Sequence, residues 1–234
     1  MSPGADAALP LVLVPGLMCD ARMWGGIDTD LGVPVIHHLP LGAATMAGLA
    51  AALLADAPPR FALAGLSMGG ILAMEVLRQA PERVARLALL DTNPLAEQPH
   101  VQARRGPQVA RALAGDLAGV LQDDMLPHYL SPETPTEAPF ALCVNMALNL
   151  GAQVFAEQSS ALRDRPDQQA TLAAFAGPAL VLTGAQDRLC PMDRHTLMHR
   201  LMPQSQLSVI AGAGHLTPIE QPHATAAALR GWLA

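Results

Sequence analysis

The chain of 234 residues contains few aromatic and few charged side chains. Phe, Trp and Tyr make up 3% of it and charged residues 15%, against 51% hydrophobic residues. The low aromatic content argues against a surface that stacks nucleic-acid bases. A net charge of −6 and the lack of a dense Arg or Lys run argue further against nucleic acid and anionic membranes as partners. The hydrophobic fraction is sufficient for a sizeable buried core.

Cysteine is scarce, and long apolar runs are missing. Three scattered cysteines are too few for a disulfide framework, and no C-x-x-C pair is present for zinc or redox chemistry: Cys19, Cys143 and Cys190. The apolar stretch from Leu9 to Met18 is interrupted by Pro15 and Gly16, and the first six residues lack a basic region. Neither a signal peptide nor a membrane span is therefore predicted, and we expect a cytoplasmic protein with reduced thiols.

Short apolar runs alternate with helical stretches along most of the chain. Six runs are predicted to be strands: 9–14, 34–39, 61–66, 84–90, 179–183 and 206–210. Helices are predicted at about 45–57, 68–79, 192–201 and 218–233, the last starting with a capping box of Thr217, Pro218 and Glu220. This alternation is typical of an α/β protein with a mainly parallel, doubly wound sheet.

The alternation fails between residues 95 and 177. No convincing strand occurs there, and prolines separate the helical patches. So long a helical interval between two strands indicates an insertion rather than an ordinary crossover. We predict an α/β core formed by residues 1–95 and 177–234, and a helical cap formed by residues 96–176.

A serine between glycines follows one predicted strand and precedes a predicted helix, in Gly65-Leu66-Ser67-Met68-Gly69. Such a sharp turn requires small flanking residues, and it lifts the serine hydroxyl clear of the sheet. The N-terminus of the helix favours negative charge that develops beside it. The pattern predicts that Ser67 is a nucleophile, the alternative being a glycine-rich turn that only packs a helix on a sheet.

A serine nucleophile needs a histidine base and a carboxylate that orients the histidine. Asp187 follows the predicted strand 179–183, and His215 follows the strand 206–210. Because ligands bind at the carboxyl ends of parallel strands, we expect both side chains to meet Ser67 there. Asp91 also ends a strand and is the competing acid, but its surroundings favour a turn or capping residue.

The order nucleophile, acid, base, each after its own strand, resembles the α/β-hydrolase fold superfamily over nearly the full chain. Pro15-Gly16-Leu17-Met18 resembles the oxyanion loop of that family, with Pro15 in place of its usual histidine. The resemblance implies about six main strands without the N-terminal hairpin of many relatives. It also implies a Ser67, Asp187 and His215 triad, an oxyanion hole made by the backbone N–H groups of Leu17 and Met68, and no metal or organic cofactor.

These expectations favour a serine hydrolase that cleaves a small-to-medium carboxylic ester, thioester or lactone through an acyl-serine intermediate, with an acyl substrate and water as its partners. Relatives with the same triad cleave carbon–carbon bonds or enol-lactones. Their substrates carry a carboxylate, which an arginine of the cap can bind: Arg104, Arg105, Arg163 or Arg165. The third alternative is a hydrolase-like binding protein with vestigial turnover. Nothing in the pattern indicates a particular oligomeric state.

The remaining histidines and several methionines are predicted to have mainly structural roles. His195 and His199 lie four residues apart on a predicted helix, but without a third ligand in sequence they are predicted to be solvated rather than metal-bound. His37 or His38 can face the crevice from a strand end, although packing is the commoner role. Several methionines can line an acyl pocket, with core filling as the default: Met18, Met23, Met46, Met68, Met125 and Met146.

Overall fold

A computed structural model describes residues 9–234 and contains six strands. They are β1 (Leu11–Val14), β2 (Val35–His37), β3 (Phe61–Leu66), β4 (Val84–Leu90), β5 (Ala179–Gly184) and β6 (Gln206–Ile210). They form one sheet in the order β2-β1-β3-β4-β5-β6, and every neighbouring pair is parallel. The predicted α/β class with six main strands is confirmed. The prediction that the chain has no signal peptide rests in part on residues 1–6, which lie outside the described residues.

Helices cover both faces of the sheet. They are α1 (Met46–Asp56), α2 (Met68–Gln79), α3 (Pro99–Arg111), α4 (Leu117–Val120), α5 (Glu137–Leu150), α6 (Ala152–Arg163), α7 (Gln169–Ala174), α8 (Met192–Leu201), α9 (Thr217–Glu220) and α10 (Pro222–Leu233). Short 3₁₀ and π-helical turns connect some of them. In the described residues no single helix is long and apolar enough to cross a membrane, and α5 with α6 reaches that length only as a pair bent by 98°.

Alternate residues of the buried strands enter two separate cores, as the two-residue period of a strand requires. Leu11 and Leu13 of β1 pack with the layer that contains α10, whereas Val12 and Val14 pack with the layer of α1 and α2. Because central strands are covered on both faces, β3 and β5 are buried at every position. The short, continuous apolar runs seen in the sequence follow from this arrangement.

The end of the chain differs from the single capped helix that was predicted. Pro222 disfavours helical geometry at Gln221, whose φ of −137° separates α9 from α10. The capping box is also wrong, because the Thr217 hydroxyl donates to the buried carboxylate of Asp91 at 2.6 Å instead of capping the helix. Glu220 does reach back, and accepts from the backbone N–H of Leu216 at 3.1 Å.

The segment between β4 and β5 consists of α3 to α7 and contains no strand, as the interrupted alternation suggested. Gly115, with φ of 101°, breaks its helical path after α3. A small separate core forms inside this segment around Val120, Leu121 and Phe155, and Met18 from the loop after β1 joins it. The segment therefore packs directly on the β1 loop that borders the site described below.

Candidate active site

Ser67 occupies a tight turn between β3 and α2. Its backbone has φ of 54° and ψ of −117°, a conformation that side chains rarely adopt. A Cβ atom on Gly65 would lie 2.2 Å from the Gly69 carbonyl oxygen, and one on Gly69 would lie 2.1 Å from that of Val14. The two glycines are therefore required by close backbone contact, as the G-x-S-x-G spacing suggests.

The structure brings together the three side chains expected to cooperate. The Oγ of Ser67 lies 2.8 Å from Nε2 of His215, and Nδ1 of His215 lies 2.9 Å from Oδ2 of Asp187. Asp187 follows β5 and His215 follows β6, so all three residues lie at the carboxyl end of the sheet. This is a continuous line of hydrogen bonds from a hydroxyl to a carboxylate.

The loop after β5 orients Asp187 through its backbone. Oδ1 of Asp187 accepts the N–H groups of Leu189 at 2.8 Å and Cys190 at 2.9 Å, which leaves Oδ2 for His215. Burial alone would raise the pKa of Asp187, but the adjacent His215 and these hydrogen bonds outweigh it, and the pKa is lowered. The lowered pKa keeps Asp187 ionised, so its carboxylate can balance a positive charge on His215.

His215 is buried and held on both sides. Burial favours its neutral form, yet the Asp187 carboxylate prevails and raises the pKa of His215 above its usual value. Its backbone N–H donates to the Tyr129 carbonyl at 2.7 Å, and the two rings lie 5.8 Å apart between centroids. The imidazole therefore has a fixed position and stabilised positive charge, as a base for a hydroxyl proton requires.

Main-chain contacts fix the loops that carry the acid and the histidine. A Cβ atom on Gly184 would lie 2.0 Å from the Gly214 carbonyl oxygen, so these loops touch backbone to backbone. Glu220 accepts hydrogen bonds from the N–H groups of Gly214 and Ser131, at 2.9 and 2.7 Å, and from the Thr134 hydroxyl at 2.8 Å. It therefore links the histidine loop to the segment between β4 and β5.

Asp91 directly follows β4, with φ of 46°, and is completely buried. Its carboxylate accepts the N–H of Gly184 at 2.9 Å and the hydroxyl of Thr217 at 2.6 Å. Burial, and then the nearby Asp187, raise the pKa of Asp91 well above its usual value. Asp91 does lie at a turn, but its carboxylate joins the ends of β5 and α9, whereas Asp187 is the carboxylate that bonds to His215.

The prediction that His195 is solvated is wrong, since its side chain is completely buried beneath the site. Nε2 of His195 accepts the N–H of Thr92 at 3.2 Å, and the Thr92 hydroxyl donates to the Ser67 carbonyl at 2.7 Å. Burial lowers the pKa of His195 to about 4, so it is neutral near pH 7. It supports the serine turn from below, while His199 is only half-buried and bonds to the Ser205 hydroxyl.

A possible metal-ligand set exists at the same place. One ligand atom from each of Asp91, Asp187 and His195 lies within 4.8 Å of the others, which the sequence spacing does not reveal because three elements contribute them. Both aspartates and the histidine already accept hydrogen bonds from the protein, as described above. Their present geometry is that of a hydrogen-bond network.

The two predicted oxyanion donors lie beside Ser67. Leu17 and Met68 line the same cleft as Ser67, and within residues 9–234 neither backbone N–H donates a hydrogen bond. Gln158 of α6, which sequence reasoning missed, holds this loop: its Oε1 accepts the Met18 N–H at 2.9 Å, and its Nε2 donates to the Pro40 carbonyl at 3.0 Å. The loop therefore has a firm support although Pro15 replaces the usual histidine.

The cleft has a volume of about 460 Å³ and is bounded by α3, the β5 loop and the serine turn. Of the six methionines considered above, Met68 and Met125 line it, and the others pack in cores. Arg104, Arg105 and Arg165 also line it, whereas Arg163 is exposed and pairs with Asp164. His37 and His38 do not line it, and His37 pairs with Asp28 at 2.8 Å.

Comparison with known proteins gives a family match over most of the chain. Residues 11–228 match the model of the Alpha/beta hydrolase family. The chain belongs to this family. A thermophilic esterase from Thermogutta terrifontis is 30% identical with a TM-score of 0.87, over 96% of this chain and 89% of that one. The family and this neighbour identify the chain as a hydrolase.

One further solved structure and one further sequence relative are similar to this chain. The enol-lactonase from Burkholderia xenovorans LB400 has a TM-score of 0.85 over 97% of this hydrolase and 91% of its own chain, and its 20% identity shows the fold alone. The biotin biosynthesis bifunctional protein BioHC of Cellvibrio japonicus is 30% identical over 235 aligned residues, which are 91% of this chain. This hydrolase spans only 45% of that protein's length.

Proposed function

We propose that this hydrolase cleaves a small-to-medium carboxylic ester, thioester or lactone through an acyl intermediate on Ser67. The observation that carries the proposal is the line of hydrogen bonds from Ser67 Oγ through His215 to Asp187, at 2.8 and 2.9 Å. A serine hydroxyl is a weak nucleophile without such a base, and the line supplies it in the required order.

The proposed reaction has two halves that use the same groups. Ser67 Oγ attacks the substrate carbonyl while His215 Nε2 takes its proton, and the N–H groups of Leu17 and Met68 stabilise the oxyanion. The imidazolium then gives its proton to the leaving group. In the second half, water attacks the acyl-serine with His215 as base, and the acid leaves. Asp187 keeps the histidine oriented and stabilises its charged form.

We further propose that residues 96–176 act as a cap that selects the substrate. Support comes from the cleft itself, since α3 and the turn before Tyr129 contribute much of its lining. Gln158 and Glu220 also link this segment to the β1 loop and to the histidine loop. Substrate choice would then depend on cap residues, whereas the reacting groups belong to the core.

The second candidate is an enol-lactone or carbon–carbon bond hydrolase with the same triad. The observation in its favour is the presence of Arg104, Arg105 and Arg165 in the cleft, because such substrates carry a carboxylate. Rates on a carboxylate-bearing ester compared with those on a carboxylate-bearing enol-lactone distinguish the two candidates.

Covalent labelling tests the proposed function directly. We expect a fluorophosphonate to form one adduct, located by mass spectrometry on Ser67, and 4-nitrophenyl esters of increasing chain length to be turned over by the same preparation. Ser67→Ala abolishes both signals. Ser160→Ala is the matched control, because Ser160 lies on α6 outside the cleft and should keep both. A labelled residue other than Ser67 contradicts the proposal, and tight ligand binding without turnover favours a binding protein.

A further inference from the structure

Three charged side chains form a compact cluster in one wall of the cleft. Glu97 precedes α3, Arg105 lies on α3, and Arg165 follows α6. Oε2 of Glu97 accepts Nε of Arg105 at 3.0 Å and lies 2.9 Å from Nη1 of Arg165. The side chains of Arg105, Glu97 and Arg165 are only 13%, 5% and 6% exposed. All three residues line the cleft that contains Ser67 and His215.

The cluster is not electrically balanced. Two guanidinium groups share one carboxylate, so one positive charge is left over among largely buried groups. Burial lowers the pKa of Arg165 despite the opposing effect of Glu97, and the proximity of Arg105 lowers it further. A buried charge without a full counter-charge is costly, and it favours the binding of an anion.

Other charged groups of the cleft do not supply the missing negative charge. Arg104, Arg188 and Arg194 also line the cleft. Besides Glu97, the acidic residue in its lining is Asp124. Asp124 is exposed and accepts a hydrogen bond from Gln108 at 3.2 Å. The wall therefore carries an excess of positive charge, although the chain as a whole has a net charge of −6.

The two guanidinium groups also keep unused donors. Nε of Arg165 donates to the Leu95 carbonyl at 2.9 Å, which fixes the plane of that group. Within residues 9–234, Nη2 of Arg165 and Nη1 of Arg105 donate no hydrogen bond to the protein, and neither belongs to the fully buried polar atoms without a partner. These oriented, accessible N–H groups suit an oxyanion better than a neutral group.

We propose that Arg105 and Arg165 form an anion subsite, which binds a carboxylate or phosphate carried by the substrate at a distance from its scissile carbonyl. Glu97 positions both arginines and does not contact the anion. This inference rests on the proposed function, because it assigns the substrate class of the same cleft. An anionic group bound there holds the carbonyl near Ser67 and replaces the missing counter-charge.

A matched pair of substrates tests the subsite. The mono-4-nitrophenyl ester of adipic acid and 4-nitrophenyl hexanoate have six acyl carbons each and differ in the terminal carboxylate. We expect the wild type to prefer the charged ester by roughly tenfold or more in kcat/KM, as charge-assisted hydrogen bonds allow. Arg105→Gln lowers the charged-to-neutral ratio by roughly tenfold to a hundredfold, and Arg105→Lys restores part of it.

Controls distinguish anion binding by Arg105 and Arg165 from a purely structural role of the cluster. Arg163→Gln, which removes an exposed arginine outside the cleft, leaves the ratio unchanged. Competitive inhibition of hexanoate-ester hydrolysis by adipate or by butyl phosphate shows which oxyanion is preferred. If Arg105→Gln slows both esters in parallel, the cluster is only structural and the inference is wrong. A wild type without preference for the charged ester overturns it equally, while labelling of Ser67 in that enzyme leaves the proposed function intact.

Discussion

Replacing each of the two buried aspartates by asparagine tests the assignment of the acid. In Asp187→Asn, the N–H groups of Leu189 and Cys190 require an acceptor, so the amide oxygen takes the place of Oδ1. The amide nitrogen then points at His215 Nδ1 and donates to it. His215 is forced into the tautomer with hydrogen on Nε2, which cannot accept the Ser67 proton.

The same reasoning gives a different outcome for Asp91→Asn. The Gly184 N–H requires an acceptor at Oδ1, so the amide nitrogen faces the Thr217 hydroxyl, which can accept as well as donate. Burial raises the pKa of Asp91 well above its usual value, so the neutral amide resembles its protonated form. No contact with His215 is lost.

We expect Asp187→Asn to lower kcat by roughly 10⁴-fold, as the wrong tautomer does in serine proteases, and Asp91→Asn by less than about tenfold. Initial rates on a 4-nitrophenyl ester between pH 5 and 9 measure both, and circular dichroism and thermal unfolding check that each variant folds. A tenfold or smaller loss in Asp187→Asn refutes the tautomer argument. A loss in Asp91→Asn as large as that in Asp187→Asn assigns the acid to β4 instead.

Ser67, His215 and Gln158 each give a further prediction. Ser67→Ala should lower kcat by roughly 10⁴-fold or more with the fold intact, and a loss below tenfold in ester assays removes Ser67 from the mechanism. If neutral His215 is the base, as proposed, kcat/KM should rise with pH, and its midpoint should lie above about 6.5 because Asp187 raises the pKa of His215. A flat profile from pH 5 to 8 contradicts that role. The same shift means that protonated His215 stabilises the fold at low pH and that this stability is lost as pH rises through its folded pKa. Gln158→Ala should lower the free energy of unfolding by about 1–3 kcal/mol and kcat by roughly tenfold, because the buried Met18 N–H in the proposed oxyanion loop loses its acceptor. Gln153→Ala, exposed on the same helix, is the control in denaturant melts and rate assays, and equal effects of the two variants contradict the loop argument.

The sequence predicts the parts of this structure that depend on local pattern. Strands β3 and β4 and helices α2 and α8 have the predicted bounds, because continuous apolar runs and the prolines behind them determine their ends. The three-residue line at the site was predictable as well. Ser67, Asp187 and His215 each lie in the turn after a strand. Parallel strands bring the turns at their carboxyl ends to the same edge of the sheet.

Residues whose roles depend on distant packing were not predictable. In the sequence, His195 looks like an ordinary helix residue. Its role arises because α8 packs over the end of β4, where the Thr92 N–H needs an acceptor. Gln158 has no motif, and its partners Met18 and Pro40 lie more than a hundred residues away. Thr217 fits a capping pattern, yet a buried carboxylate competes for its hydroxyl and binds it instead.

The carboxylate of Glu220 couples the position of residues 131–134 to that of His215. It binds the backbone of residue 131 and the hydroxyl of Thr134 as well as the turn that carries His215, so residues 131–134 and that turn form a single anchored point. Displacing residues 131–134 would pull on the turn that carries His215 and change the distance from Nε2 of His215 to Oγ of Ser67. We therefore expect residues 131–134 to keep their position when a ligand enters the cleft.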